Sequence, residues 1–273
     1  MNDYQLIAFD MDGTLLDGKK QITIKTQHAI NRALKSGKTV ILSTGRGLDE
    51  LNEYRDILKD IPYFICESGA CVYDNFNDEI LYSNQMDASI IEEILTITEH
   101  QDLMFYYIAN GRGYSEIEKV DHMDHYQMEI YQPLLKNNIR LVSNIREHIK
   151  QHIACIEKIN IFTVTPEERI KLQKSVSHLP VMLTNSEPNA LEITADGISK
   201  ASGLKILCKK LNIPLEQTIA VGDSTNDIEI MKVAGLSIGM GNSMQEVKDI
   251  CKVLVSDNNH NGCVEAIEKY LIA

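Results

Sequence analysis

The feature that most constrains this chain is an alternation of short apolar runs and helix-period segments at both of its ends. Tyr4 to Asp10 (YQLIAFD) is an apolar run that stops at an acidic loop containing Gly13, the pattern of a buried strand opening into a turn. Thr26 to Ser36 carries Ala29, Ile30, Ala33 and Leu34 at helical spacing, and Gly37 follows as a C-terminal cap. A strand at Thr39 to Leu42, a helical stretch around Leu48 to Lys59, a strand at Tyr63 to Cys66 and a hairpin through Val72 and Leu81 continue the alternation. The far end repeats it, with helix Lys200 to Leu211, strand Thr218 to Val221, helix Asp227 to Ala234 and strand Leu236 to Ile238. A strand at Lys252 to Val255 and a helix at Cys263 to Leu271 close the chain. Strands separated by helices predict an α/β fold built on a parallel sheet.

Between these ends, residues 84–189 differ in texture and hold six of the eight histidines. They read as a second domain inserted into a first one made of residues 1–83 and 190–273. Its clearest pieces are a helix at Ala88 to His100, strands at Leu103 to Ile108 and Lys158 to Val164, and a helix opening Thr165-Pro166-Glu167-Glu168. Pro166 suits a first helical turn, and Glu168 can close a capping box on Thr165. Val181 to Thr184 and Ala190 to Thr194 then read as strands returning to the core.

At 273 residues, 44% apolar and 24% charged, the chain has the material for two domains and the balance of a soluble protein. No stretch approaches the ~20 apolar residues of a membrane span, and the N-terminus lacks the pattern of a secretory signal, so the expectation is a cytoplasmic protein without a membrane partner. Six cysteines without CxxC spacing suggest reduced thiols. A net charge of −12 makes nucleic acid a poor partner. An anionic small substrate would need local positive charge from a metal, a lysine or a helix N-terminus.

Asp10 and Asp12 flank Met11 at the carboxyl end of the first strand, the edge where open parallel sheets bind ligands. If strand geometry persists for two residues, both carboxylates point toward the same side, and Gly13 lets the chain turn sharply afterwards. Such a pair calls for a divalent metal or a shared proton. Gly222-Asp223-Ser224-Thr225-Asn226-Asp227 repeats the arrangement after another apolar strand. Oxygen-only donors from two strand ends suit Mg²⁺, which keeps waters that a phosphate can replace. Leu42-Ser43-Thr44-Gly45-Arg46 and Lys200 offer a hydroxyl, a glycine amide and an ammonium to orient that phosphate.

DMDGT at 10–14, STGR at 43–46, Lys200 and GDSTND at 222–227 resemble, in order and in strand context, the motifs of haloacid-dehalogenase-type phosphatases. The insertion's size and place and the stretch NALEITADGISKASGL resemble the Cof-type subfamily with a type IIB cap. The resemblance implies a doubly wound, Rossmann-like core with an inserted α+β cap. It implies that Asp10 attacks phosphorus and that Asp12 protonates the leaving oxygen and later activates water. Mg²⁺ would be held by the Asp10 carboxylate, the Asp12 backbone carbonyl and Asp223, with Ser224 a further ligand and Arg46 and Asp227 in support. The Met11 amide, Thr44, Gly45, Lys200 and Asn226 would hold the phosphoryl oxygens. The substrate would be a small phosphate ester, such as a sugar phosphate or a phosphorylated cofactor; the oligomeric state is not legible.

Other features carry less. His122 and His125 with Asp121 and Asp124, and His148 with His152, have spacings a transition metal could use, but no third ligand is evident. Gly239-Met240-Gly241 lacks the rest of a dinucleotide fingerprint. Tyrosines 106, 107, 114, 126 and 131 suit either a pocket or a core. Two rival readings are a phosphomutase of the same superfamily and, from another class, a phospho-accepting receiver module, for which a ~100-residue insertion would have no task.

Overall fold

The computed structural model describes residues 4–185 and 187–273. The chain divides into two units, one made of residues 1–45, 54–82 and 199–273, the other of residues 46–53 and 83–198. Among the described residues no helix is long and apolar enough to cross a membrane.

In the first unit β1 (Leu6–Phe9), β2 (Thr39–Ser43), β3 (Tyr63–Cys66), β4 (Cys71–Asp74) and β5 (Glu79–Ser83) come early in the chain. The second unit supplies β6 (Leu103–Ala109), β7 (Arg112–Glu116), β8 (Arg140–Val142), β9 (Ile156–Thr163), β10 (Val181–Thr184) and β11 (Ala190–Ala195). The first unit then resumes with β12 (Thr218–Gly222), β13 (Leu236–Gly239) and β14 (Val253–Leu254). The core sheet has the order β14-β13-β12-β1-β2-β3-β4-β5. It is parallel from β14 to β3, and β4 turns back antiparallel on β3. The central strands LIAF and TIAVG are buried along their whole length, as strands covered on both faces must be. Helices cover them: Leu204, Leu207 and Cys208 of helix Lys200–Leu211 pack with Leu6, Ala8, Ile65 and Ala220. This is the predicted α/β core.

The cap unit is a six-stranded sheet of order β10-β11-β9-β6-β7-β8. Its strands alternate. Phe105 and Tyr107 of β6, Ile159 and Ile161 of β9, and Leu191 and Ile193 of β11 face helices Ala88–Ile97, Ile145–His152 and Pro166–Val176. The last of these helices opens with the predicted capping box, Thr165 taking the Glu168 amide and Glu168 taking the Thr165 amide.

Two expectations are corrected. Ala190–Ala195 does not return to the core: it pairs antiparallel with β9, its Leu191 and Ile193 complete the cap core, and the second unit runs to Ile198. The stretch Leu48 to Lys59 is not one helix but 3₁₀ turns over Asp49–Tyr54 and a single α turn at Arg55–Leu58. Residues 46–53 belong to the second unit, where Tyr106 and Gly47 both bond to the Glu50 side chain.

Candidate active site

Phe9 pairs with Val221 on one side and with Leu42 on the other, and the Asp10 amide still donates to the Val221 carbonyl at 2.9 Å. Asp10, Thr44 and Asp223 therefore leave the same carboxyl edge from three adjacent strands. Regular strand geometry stops there. Gly13 turns the chain with φ +81°, and a Cβ at that position would lie 2.4 Å from Asp223 Oδ2, so only glycine lets the two loops close up. Thr14 completes the junction by donating to Asp223 Oδ1 at 2.9 Å.

Lys200 is the buried centre of the cluster. Its Nζ donates to Asp10 Oδ1 and to Asp227 Oδ1, both at 2.6 Å, and lies 3.5 Å from Asn226 Oδ1. A cation on the first residue of a helix opposes the helix dipole, so this is a place where local preference is overruled. The helix start is held by the turn Glu67–Gly69. Ser68 donates to the Thr44 carbonyl at 3.1 Å, and Gly69, with φ +104°, comes so close to Ser199 that a Cβ would lie 1.9 Å from its carbonyl oxygen. Glu67 and Ser68 also take left-handed backbone conformations. The sequence reading missed this turn, whose signal was Ser68-Gly69-Ala70 directly after a strand.

Asp227 carries more than the supporting place the sequence suggested. Its Oδ2 accepts from the amides of Asp223 (3.0 Å) and Ser224 (3.2 Å) while its Oδ1 takes Lys200. Asp227 thus shapes the acidic loop as well as balancing the lysine. The missed signal was a Ser-x-x-Asp capping spacing from Ser224. Ser224 Oγ donates to Asn226 Oδ1 at 2.8 Å. Gly239-Met240-Gly241 proves to be a turn that braces this loop, with Met240 N donating to the Gly222 carbonyl.

Asp10, Asp223 and Asp227 offer carboxylate oxygens that all lie within 4.8 Å of one another. Asp12 stands outside that group. Strand alternation does not carry through to it, because the backbone turns at Met11 to Gly13, and its half-exposed carboxylate pairs with Lys20 at 2.8 Å. Met11 itself is buried. Gly45 ends the first of the chain segments that make up the core unit, whereas Arg46 groups with the second unit, its guanidinium 3.6 Å from Glu53.

Three carboxylates around one ammonium leave an excess of buried negative charge. Burial pushes the Asp10 carboxyl well above the usual carboxylate range, and Asp227 and Asp223 add to this against the pull of Lys200. Burial likewise raises Asp223, with Asp227 the next cause, to about 7. For Lys200 burial works against the charged form, but Asp10 and Asp227 outweigh it and hold the ammonium above its ordinary range. Oxygen-only donors with surplus negative charge fit a hard divalent cation.

The histidine pairs form no such group. His125 pairs with Asp102, which also takes Lys119 and Tyr126, and His148 stacks on His152 with ring centroids 4.2 Å apart. Tyr106, Tyr107 and Tyr126 are buried in the cap. Cys155, Cys208, Cys251 and Cys263 are free thiols.

The haloacid dehalogenase-like hydrolase family matches the chain over residues 7–267. The chain belongs to the haloacid dehalogenase-like hydrolases. It is 30% identical over 272 residues to the 5-amino-6-(5-phospho-D-ribitylamino)uracil phosphatase YcsE of Bacillus subtilis, covering 99% of this chain and 97% of that one. A haloacid dehalogenase-like hydrolase structure from B. subtilis superposes with a TM-score of 0.86 at 25% identity, covering 98% of this chain and 100% of the other. The fold is also that of the subclass IIB sugar phosphatase BT4131, with a TM-score of 0.85 at 21% identity over 98% of this chain and 100% of that one. This haloacid dehalogenase-like hydrolase is a phosphatase of the Cof type with an inserted cap, acting on phosphorylated substrates. A receiver module is thereby set aside, since the family spans core and insertion together.

Proposed function

We propose that the chain is a Mg²⁺-dependent phosphomonoesterase that hydrolyses small phosphorylated metabolites, sugar phosphates or phosphorylated cofactors, through a phosphorylated Asp10. The observation that supports this most is the placing of the Asp10 carboxylate, 2.6 Å from the buried Lys200 ammonium, at a sheet edge shared with Asp223 and Asp227. Asp10, Asp223 and the Asp12 carbonyl would hold the metal, with Ser224 and Asp227 beside them. When bound, Mg²⁺ neutralises charge on the phosphoryl oxygens and on the Asp10 carboxylate.

The residues then have distinct tasks. An Asp10 oxygen forms a bond to phosphorus as the bond to the leaving oxygen breaks, and Asp12 gives that oxygen its proton. Asp12, now a carboxylate, takes a proton from water as the water oxygen attacks phosphorus, and inorganic phosphate leaves with Asp10 restored. Lys200, Thr44, the Gly45 and Met11 amides and Asn226 hold the equatorial oxygens, where positioning and charge stabilisation supply most of the rate in phosphoryl transfer. The cap, residues 83–198 with 46–53, holds none of these groups and serves to select the leaving group. The B. subtilis relative's name, a phosphatase of a ribitylamino phosphate, is consistent with a polyol-bearing substrate.

The test is hydrolysis of a small aryl phosphate with Mg²⁺, with chelator, and by Asp10→Asn. Activity should need Mg²⁺ and fall by at least about a thousandfold in the variant, as loss of a covalent nucleophile does. Undiminished turnover by Asp10→Asn would remove Asp10 from this role.

A further inference from the structure

The turn that carries Asp12 is held from outside itself. Its own backbone ties run from Leu15 N to the Asp10 carbonyl at 3.2 Å and from Leu16 N to the Met11 carbonyl at 2.9 Å. Between them Asp12 (ψ 119°) and Gly13 (φ +81°) leave helical geometry. The carbonyls of Gly13, Thr14 and Leu16 are taken by side chains from the last part of the chain. Asn242 Nδ2 donates to the Gly13 oxygen at 2.8 Å, Cys263 Sγ to Thr14 at 3.2 Å and Asn258 Nδ2 to Leu16 at 2.8 Å. All of these residues lie in the first unit.

Asn242 differs from the other two. Cys263 is buried and Asn258 half-buried, whereas Asn242 is exposed, so packing does not account for its place. Its side chain bridges two stretches of backbone: Oδ1 accepts from the Asn258 amide at 3.1 Å while Nδ2 gives to Gly13. A main-chain amide only donates and a carbonyl only accepts, so the carboxamide has one workable orientation. Its neighbours hold the second acidic loop. Met240 N and Ser243 Oγ each reach the Gly222 carbonyl at 3.2 Å, and Met244 N reaches the Asp223 carbonyl at 2.9 Å. Residues 240–244 therefore clip the Asp12 turn to the Asp223 loop, and Asn242 is the side chain that grips the Asp12 side. Glycine has the most backbone freedom, so a tie on the Gly13 carbonyl acts where the chain restrains itself least.

We infer that Asn242 is a positioning residue for the acid–base step: by holding the Gly13 carbonyl it sets where the Asp12 carboxyl stands relative to the phosphoryl group on Asp10. The inference rests on the phosphatase reading above, in which Asp12 protonates the leaving oxygen as its bond to phosphorus breaks and then takes a proton from the attacking water. Asn242 acts through Asp12, and its carboxamide takes no part in the proton transfer. Asp10 does not depend on this tie, because strand β1 and Lys200 fix it. The Asp12 carboxylate is half-exposed, as is the Lys20 ammonium it pairs with. Loss of the tie should thus blunt proton transfer and spare nucleophilic attack. Protonation matters much for an alkoxide leaving group and little for a phenolate that departs readily as the anion.

The experiment measures kcat/KM, which reports the steps up to departure of the leaving group, with Mg²⁺ for glycerol phosphate and for para-nitrophenyl phosphate. Asn242→Ala should lower the alkyl-to-aryl ratio by at least about fivefold, the worth of one lost hydrogen bond passed on to proton transfer. Asn242→Asp is nearly equal in size and still accepts from the Asn258 amide, but it has no donor for Gly13 and should lower the ratio at least as far. A space-filling role would spare it. The fraction of protein trapped as phosphoenzyme during turnover of the aryl ester should rise in both variants, because water attack slows while formation does not. A ratio of two substrates on one preparation is independent of the folded fraction, so misfolding cannot imitate the result. An unchanged ratio, equal losses on the two esters or a lower trapped fraction overturns the inference. Asp12→Ala, run alongside, should show the same bias at greater size, about a hundredfold or more. Its absence there would take the acid role from Asp12 and the inference with it, whereas a biased Asp12→Ala beside an unbiased Asn242→Ala would sink the role of Asn242 alone.

Discussion

The core and the cap each bury a lysine among carboxylates, and they balance it differently. In the core Lys200 stands against Asp10, Asp223 and Asp227, so negative charge is in excess and two of the carboxyls are pushed upward. In the cap Lys158 donates to Glu192 at 2.8 Å. A cluster with surplus negative charge suits a divalent cation, whereas a buried ion pair already has its opposite charge in contact. The same two residue types thus stand in surplus negative charge in one place and in a buried ion pair in the other.

Lys200→Met tests the core side of this contrast with the largest effect. It removes the ammonium that Asp10 and Asp227 share and should lower kcat by about a hundredfold to a thousandfold, the cost of losing a charge-stabilising group in a reacting site. Stopped assays at saturating substrate measure it; a loss below tenfold would mean that Lys200 balances the fold rather than the reaction.

A second test is the pH dependence of stability. Asp223 sits at about 7 in the folded chain against an ordinary value of 3.8, and Asp10 is raised as well. A carboxyl raised by folding favours its protonated form, so its contribution to stability is present below the unfolded value and is lost as pH climbs through the folded one. Without metal, the melting temperature should therefore fall between about pH 4 and pH 8, and the increment given by Mg²⁺ should grow over the same window. Asp223→Asn should flatten the metal-free profile. A Mg²⁺ increment independent of pH would contradict the charge imbalance.

The smallest effect belongs to the cap. Replacing Lys158 and Glu192 together by Met and Gln should change stability by no more than about 1 kcal/mol, whereas Lys158→Met alone, which strands a buried carboxylate, should cost about 3–5 kcal/mol. Chemical denaturation of the three proteins checks this, and equal losses in single and double variants would deny that the two side chains are coupled.

Much of this was legible in the chain itself. The strand-then-aspartate pattern at Asp10 and at Asp223 survives because a buried parallel strand needs a continuous apolar run and its loop must turn at once, and both constraints are local. The capping box at Thr165 is local too. What escaped were features set by distant partners. Ala190–Ala195 alternates like any strand, and nothing in it says which sheet it joins; the cap core claims it through Leu191 and Ile193. The Glu67–Gly69 turn matters because Ser199, 130 positions away, approaches Gly69. Asp12 looked like a twin of Asp10, yet two residues of turn were enough to send its carboxylate to Lys20. Asp227 read as a helix residue, and only the fold sets it between Lys200 and two loop amides.

The most direct measurement of the central claim is chemical trapping of the phosphorylated enzyme. Borohydride reduces an aspartyl phosphate to homoserine, so wild-type protein turning over substrate with Mg²⁺, quenched into borohydride and digested, should show homoserine at position 10 by mass spectrometry. The modification should be absent in chelator and without substrate. Turnover with Asp10 unmodified, or homoserine at another aspartate, would contradict covalent catalysis by Asp10.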